Sequence, residues 1–352
     1  MKLLKLPGLI DIHVHLRDPG QTYKEDFYTG SSTAIAGGFT TILDMPNNKE
    51  PIISLNRLKN KIKEAKQKAV CDVGFYSGSL GDNLEELMKM EPYVFGLKLY
   101  LNKTTGNFII NEKKLDEIFS AWKSDKPILV HAEEDILNLV LISVQKAGKK
   151  VHICHVSNKK QLQMIIRAKT NNLPVSCGVT PHHLFLTNRD LDKLGTLGLM
   201  RPRLGNSSDQ DFLWKNFNYI DVIESDHAPH TQKEKKSADP PFGVPGLETT
   251  LPLLLTAVSK NRISIKHLIE MCYEKPKKIF NIKTENDTYI EIDPKEEYII
   301  SNKKLKTKCG WSPFDEFRVK GKVKRVFIRG NEVYNRDKFL VNRGFGKVII
   351  PT

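Results

Sequence analysis

The chain has 352 residues, with 55 Lys and Arg against 41 Asp and Glu, so its formal net charge is +14 at pH 7. With 39% hydrophobic and 27% charged residues it can fill a sizeable core, which excludes wholesale disorder. No apolar run approaches ~18 residues and residues 1–5 carry no signal-peptide pattern, so a cytoplasmic protein is expected rather than a membrane-spanning or secreted one.

In chain order, strands are expected at 9–14, 40–45, 71–76, 94–101, 128–131, 151–156, 175–179 and 220–225. Helical spacing fills the intervals at 27–36, 55–68, 115–122, 136–147 and 159–170, and again at 247–259, 265–271 and 275–280. Strands apolar on both faces, most of them followed by a helix, predict a parallel sheet covered by helices, and eight is the number that closes a (β/α)8 barrel. The alternative is an open doubly wound sheet, but no GxGxxG follows the first strand. After about residue 281 the texture changes to β-like pieces at 288–292, 298–300, 319–329 and 332–334. The expected division is therefore a catalytic barrel at 7–284 and a small β subdomain at 285–352, joined by residues 1–6 as an extra strand.

The five cysteines, 71, 154, 177, 272 and 309, form no CxxC pair and read as reduced thiols. The positive charge is mostly lysine spread over helices such as 57–68, without interleaved aromatics. A solvated basic surface is expected, not a nucleic-acid or membrane partner.

Chemistry gathers at the strand ends. The first strand closes Asp11-Ile12-His13-Val14-His15, and two imidazoles converging there make half of a metal site. His131 closes the fifth strand, His155 the sixth and Asp226 the eighth. In a closed barrel these ends surround one mouth, and independent structural roles for all five would have to coincide. Lys98 sits late in the fourth strand among leucines, on the face expected to point inward. Burial of its ammonium would lower its pKa, and a neutral amine reacts with CO2 to give a carbamate able to bridge two metals. The alternatives for Lys98 are snorkelling to the mouth or pairing with Asp226.

The stretch Pro7-Gly-Leu-Ile-Asp-Ile-His-Val-His-Leu-Arg-Asp-Pro-Gly20 resembles the opening motif of dihydroorotases, members of the amidohydrolase superfamily. Ser225-Asp226-His227-Ala228-Pro229-His230 resembles their second signature. Gly96–Asn102, His152–Val156 and Pro245–Thr249 are similar as well, in the same order, over a match running from about residue 6 to 344. The likeness is closest to the dihydroorotase domain of multifunctional animal pyrimidine-synthesis proteins. It implies a zinc-dependent cyclic amidohydrolase interconverting N-carbamoyl-L-aspartate and (S)-dihydroorotate in de novo pyrimidine (UMP) synthesis. His13, His15 and Asp226 would hold one Zn2+, His131 and His155 a second, with N6-carboxylated Lys98 as the bridge. Asp226 would be the catalytic acid and base, passing a proton from the nucleophilic hydroxide to the leaving nitrogen.

Arg17, two residues beyond His15 and on the same face, is placed to bind the substrate carboxylate bidentately, and the same resemblance adds Asn47 and His230 to it and assigns the backbone near Phe242 and Gly243 to the ring amides. Residues 102–106 align with a loop that closes over substrate, with Thr104-Thr105 where the animal domain has Thr-Phe. Some animal members carry a glutamate at the position of Gly178 that helps the counterpart of Cys154 hold an additional zinc. Glycine supplies no ligand, so a third ion is not expected, and alternation from His155 turns Cys154 towards the helices. His182 and His183 belong to the family pattern without an assigned role. A homodimer and association with aspartate carbamoyltransferase are the partners the resemblance implies. Two rivals remain: a hydantoinase, dihydropyrimidinase or allantoinase, which Arg17 with Asn47 opposes, and a non-catalytic scaffold, which retention of all six metal-ligand candidates opposes.

Overall fold

The computed structural model describes residues 3–102 and 109–351. Its strands are β1 (Leu4–Pro7), β2 (Leu9–Val14), β3 (Phe39–Asp44), β4 (Asp72–Phe75), β5 (Ser77–Gly78), β6 (Leu97–Tyr100), β7 (Ile128–His131), β8 (Val151–Ile153), β9 (Val175–Val179), β10 (Val222–Ile223), β11 (Tyr289–Ile299), β12 (Arg318–Ile328), β13 (Asn331–Asn335) and β14 (Lys338–Phe339). Strands β2-β3-β4 pair in parallel, as do β5 through β10 in sequence order. Tyr76 alone separates β4 from β5, so the two occupy one position in the ring. Closure comes between β10 and β2, where Val14 bridges His227 and the His15 N–H donates to the His227 carbonyl at 2.8 Å.

Two apolar layers follow from this closure. Ile10, Ile12, Leu43, Met45, Tyr76, Phe95, Leu129, Cys154 and Val222 form one buried cluster with Phe280 and Ile282. A cluster drawn from strands all round the ring lies inside it. The larger cluster, including Val73, Leu97, Leu99, Val130 and Ile153, packs the outer faces against the helices. Each large apolar side chain so buried contributes roughly 1.5–3 kcal/mol. Asp26, Ser54 and Asn158 accept N–H bonds at the starts of the helices Phe27–Ala36, Leu55–Lys68 and Lys159–Thr170, which fixes where the chain turns back.

A second, antiparallel sheet has the order β1-β11-β12-β13-β14. The two pieces expected at 288–292 and 298–300 are one strand, β11, interrupted between Asp293 and Glu297 by a register shift that accommodates Pro294. The last residues do not stay with this sheet. The Val73 N–H donates to the Lys347 carbonyl and the Ile349 N–H to the Val73 carbonyl, both at 2.9 Å, so the terminus returns to the edge of β4. Among the described residues no helix is long and apolar enough to cross a membrane.

Candidate active site

The C-terminal ends of the barrel strands open on one cavity. It is lined by His13, His15, Arg17, Asn47, Tyr100, His131, His155, Arg201, Asp226, Ala228, Phe242 and Gly243. Three of these leave their strands in the left-handed region, Arg17 at φ 62°, His155 at φ 38° and Asp226 at φ 44°. Such a conformation costs a non-glycine residue about 1–3 kcal/mol and concentrates at functional sites.

Asp226 Oδ1 lies 3.0 Å from His15 Nε2 and 3.4 Å from His13 Nε2. Their ligand atoms all fall within 4.8 Å of one another, close enough to share one ion. Beside them His131 Nδ1 faces His155 Nε2 at 3.0 Å, while His131 Nε2 and His155 Nδ1 are buried without a hydrogen-bond partner among the described residues. Burial holds His15 down to about 3, lowers His131 and lowers His155 further, so these rings are neutral and offer lone pairs. Burial and Lys98 also act against charge on His13, but Glu224, Cys154 and Asp226 outweigh them and push it up to about 10. A cluster of neutral imidazoles beside carboxylates that favour positive charge fits bound cations.

Lys98 is fully buried next to this cluster, below the cavity wall. Its Nζ donates to Cys154 Sγ at 3.0 Å and stands 4.9 Å from the Tyr100 ring centre. Neither snorkelling nor a pairing with Asp226 is found among the described residues, which leaves a buried amine without a carboxylate counter-charge.

Cys154 corrects one expectation. It points into the barrel, not towards the helices, because β8 ends at Ile153 and His155 turns at φ 38°. Alternation must be counted from His152, which lies inside the strand, and not from His155, which lies beyond it. Gly178 lies against a carboxylate. A Cβ there would lie 2.5 Å from Glu224 Oε1, so the glycine makes room for a carboxylate from the neighbouring strand. Glu224 accepts from His13 Nδ1 at 3.1 Å and from the His155 N–H, and lies 3.6 Å from His152 Nε2. Its ligand atom, Cys154 Sγ and a His13 nitrogen form a second three-donor group. Cys154 therefore has a carboxylate neighbour after all.

The opposite wall is cationic. Arg17 is 4% exposed, donates through Nε to the Pro229 carbonyl at 3.1 Å, and forms no ion pair with a carboxylate among the described residues. Asn47 Oδ1 accepts from His15 Nδ1 at 2.6 Å, which leaves His15 Nε2 bare on the Asp226 side. His230 stands behind Arg17, bonded to the Phe242 carbonyl. Phe242 and Gly243 are held by Lys235, whose buried ammonium donates to the carbonyls of Leu199, Pro241 and Gly243 at 2.7, 3.0 and 3.1 Å. Thr104 and Thr105 lie outside the described residues. His183 bonds Thr180 and the Pro202 carbonyl, whereas His182 Nε2 is buried without a partner among the described residues.

Sequence reasoning missed Glu224, Arg201 and Lys235. Glu224 had a signal, since it lies two residues before Asp226 at the same strand end. Arg201, with its guanidinium 4.7 Å from the Phe242 ring centre, comes from a loop and had none.

The amidohydrolase family pattern matches residues 4–333. The multifunctional protein CAD of Squalus acanthias is 43% identical over 98% of this chain, which spans 16% of that protein. A dihydroorotase of Pyrococcus furiosus is 37% identical over 95% of this chain and 82% of its own length. Among solved structures, an L-hydantoinase from Arthrobacter aurescens superposes with a TM-score of 0.94 at 26% identity, covering 99% of this chain and 89% of that one. Barrel, strand-end donors and these relatives agree: the chain belongs to the amidohydrolase family and, within it, to the dihydroorotases.

Proposed function

We propose that this chain is a zinc-dependent dihydroorotase that closes N-carbamoyl-L-aspartate to (S)-dihydroorotate with release of water, and runs the reverse hydrolysis. The observation that carries the reading is a single cavity with a metal-type donor cluster on one wall and, on the other, the buried guanidinium of Arg17, which has no carboxylate partner among the described residues. That spacing suits a cyclic amide that bears its own carboxylate. His13, His15 and Asp226 would hold one zinc and His131 with His155 the other, and Lys98, N6-carboxylated, would supply the missing anionic bridge. Bound zinc would bring the pKa of water down to about 7 and polarise the amide carbonyl.

The chain's own residues do the rest. Asp226 is held well below the ordinary carboxylate range by His13 and His15 against the opposing effect of burial, so it is ionised and able to accept a proton. In the hydrolytic direction it takes the proton of the attacking water and delivers it to the ring nitrogen as the C–N bond breaks. In ring closure it takes a proton from the ureido nitrogen as that nitrogen attacks the carboxyl carbon, and returns it to the departing hydroxyl, which leaves as water. Arg17, Asn47 and His230 orient the carboxylate, and the backbone at Phe242 and Gly243 meets the ring amides.

Residues 7–284 carry this chemistry and 285–352, with 1–6, support it. A homodimer and association with aspartate carbamoyltransferase, which makes carbamoyl-aspartate, belong to the same reading. The test is an assay of purified protein for loss of the ureido group of carbamoyl-aspartate, with dihydrouracil hydrolysis alongside. Cyclisation with poor dihydrouracil turnover is expected; equal hydrolysis of both rings would favour a hydantoinase, and no turnover of either a scaffold.

A further inference from the structure

Lys24, two residues before the N-cap of the helix Phe27–Ala36, is 3% exposed. Its Nζ lies 3.1 Å from His230 Nδ1 and 3.0 Å from Glu234 Oε1. The other ring nitrogen, His230 Nε2, lies 3.1 Å from the Phe242 carbonyl oxygen and 3.1 Å from a terminal nitrogen of Arg17.

On a neutral ring these contacts admit one proton arrangement. An ammonium only donates, so the nitrogen facing Lys24 must be the bare one. The proton then sits on Nε2, where the Phe242 carbonyl accepts it. A guanidinium also only donates, so an Nε2–H gives Arg17 nothing to bond, and its terminal N–H groups stay available for an anion. In the opposite tautomer the bare Nε2 would accept from Arg17 and occupy it. A doubly protonated, cationic ring is no escape, because burial, Arg17, Lys24 and Lys235 hold His230 well below the ordinary imidazole range. Glu234 gives Lys24 a counter-charge inside the fold, and is itself oriented by the Tyr23 hydroxyl at 2.8 Å.

We propose that Lys24 is a positioning residue: its ammonium fixes neutral His230 in the Nε2–H tautomer and so keeps the Arg17 guanidinium free for the substrate carboxylate. The proposal rests on the assignment of Arg17 to that carboxylate, but the tautomer is readable with no substrate present, so the two ideas fail separately.

The experiment is nitrogen NMR of the zinc-loaded full chain labelled with 15N-histidine, the His230 signals being assigned by difference from His230→Asn. Wild type should show a pyridine-type Nδ1 and a pyrrole-type Nε2. In Lys24→Met the pattern should reverse or average, and KM for dihydroorotate should rise about tenfold, the worth of roughly one charge-assisted hydrogen bond, with a smaller change in kcat. Lys24→Arg keeps a donor-only cation and should restore both. A pyrrole-type Nδ1 in wild type overturns the proposal even if no Lys24 variant folds. So does a Lys24→Met protein whose KM rises without a change of tautomer, or whose tautomer changes without a rise in KM.

Discussion

In the proposed site the metal end of the cavity hangs from strand ends, and the anion end hangs from loops. His13, His131, His155 and Asp226 sit at or just past the ends of β2, β7, β8 and β10, where neighbouring strands fix their spacing to within a hydrogen bond. Arg17, Asn47, His230 and Gly243 lie on connections held in place by other buried polar groups: Lys24 on His230, Lys235 on the 241–243 backbone and Lys61 on the Met45 carbonyl. A strand end positions by repetition, and a loop positions by individual contacts. The barrel that carries the first arrangement superposes on a hydantoinase at 26% identity, and loops of the second kind are where members of one fold can differ in the ring they accept.

The contrast predicts that damage at the metal end abolishes chemistry, while damage at the anion end spares the metals. The largest effect should come from Lys98→Ala. It removes the buried amine proposed to bridge the two metals, so zinc content should fall from the proposed two per chain and activity by at least ~10²–10³-fold. Short carboxylic acids should restore part of it, and density at wild-type Lys98 should extend by a carboxyl group. A fully active Lys98→Ala protein with normal zinc content would sink the bridging role.

Arg17→Met should come next and spare the metals. Removing one side of a desolvated carboxylate–guanidinium pair costs ~2–5 kcal/mol, or roughly 30- to 4,000-fold in kcat/KM for dihydroorotate. Zinc measured by elemental analysis should be unchanged, as should the slow hydrolysis of dihydrouracil, which has no carboxylate. If both rings lose equally, Arg17 acts on the fold and not on the anion.

These two variants also mark how much the sequence could show. Strand alternation and the HxH spacing point to the donor cluster because period-2 geometry acts directly on residue order, and the inward position of Lys98 follows from the leucines around it. The same rule misplaces Cys154, since it was applied from a residue already outside the strand at positive φ. At the anion end periodicity reaches no further than Arg17, two residues beyond His15. Asn47 comes from resemblance to a family, and Arg201, Lys24 and Lys235 are hidden because what recruits them is distance in the folded chain. The swap at Gly178 is of the same kind: the glycine is visible, but the carboxylate that needs its space arrives from a neighbouring strand 46 residues on.

That swap supplies a smaller effect at the metal end. Glu224 fixes His13 with its Nδ1 protonated, and losing such an outer partner typically lowers metal affinity ~10–100-fold. Glu224→Ala should shift chelator competition by that factor. Gly178→Ala should be destabilising alone, because its Cβ meets Glu224 Oε1 at 2.5 Å, and close to neutral in the Glu224→Ala background. Thermal unfolding of the four proteins of this cycle measures the coupling, and simple additivity would show that the glycine is not there for the glutamate.

The smallest effect falls on Asn47, the residue that belongs to both ends. Its Oδ1 accepts the His15 Nδ1 proton at 2.6 Å, which turns the bare Nε2 towards Asp226, while its amide N–H group is the part left for the substrate carboxylate. Asn47→Ala therefore removes a neutral hydrogen bond to His15, worth about 1 kcal/mol, and a charge-assisted one to the carboxylate, worth about 1.5 kcal/mol, or roughly five- to tenfold on either side. Zinc affinity and KM for dihydroorotate should worsen together by about that factor, whereas Arg17→Met should move KM alone and Glu224→Ala mainly the metal. Histidine should restore neither, since its ring cannot accept from His15 and donate to the anion in the same geometry. If Asn47→Ala shifts only KM, then the neighbouring strand ends hold His15 without help, and the two ends of the cavity are independent at the one residue that joins them.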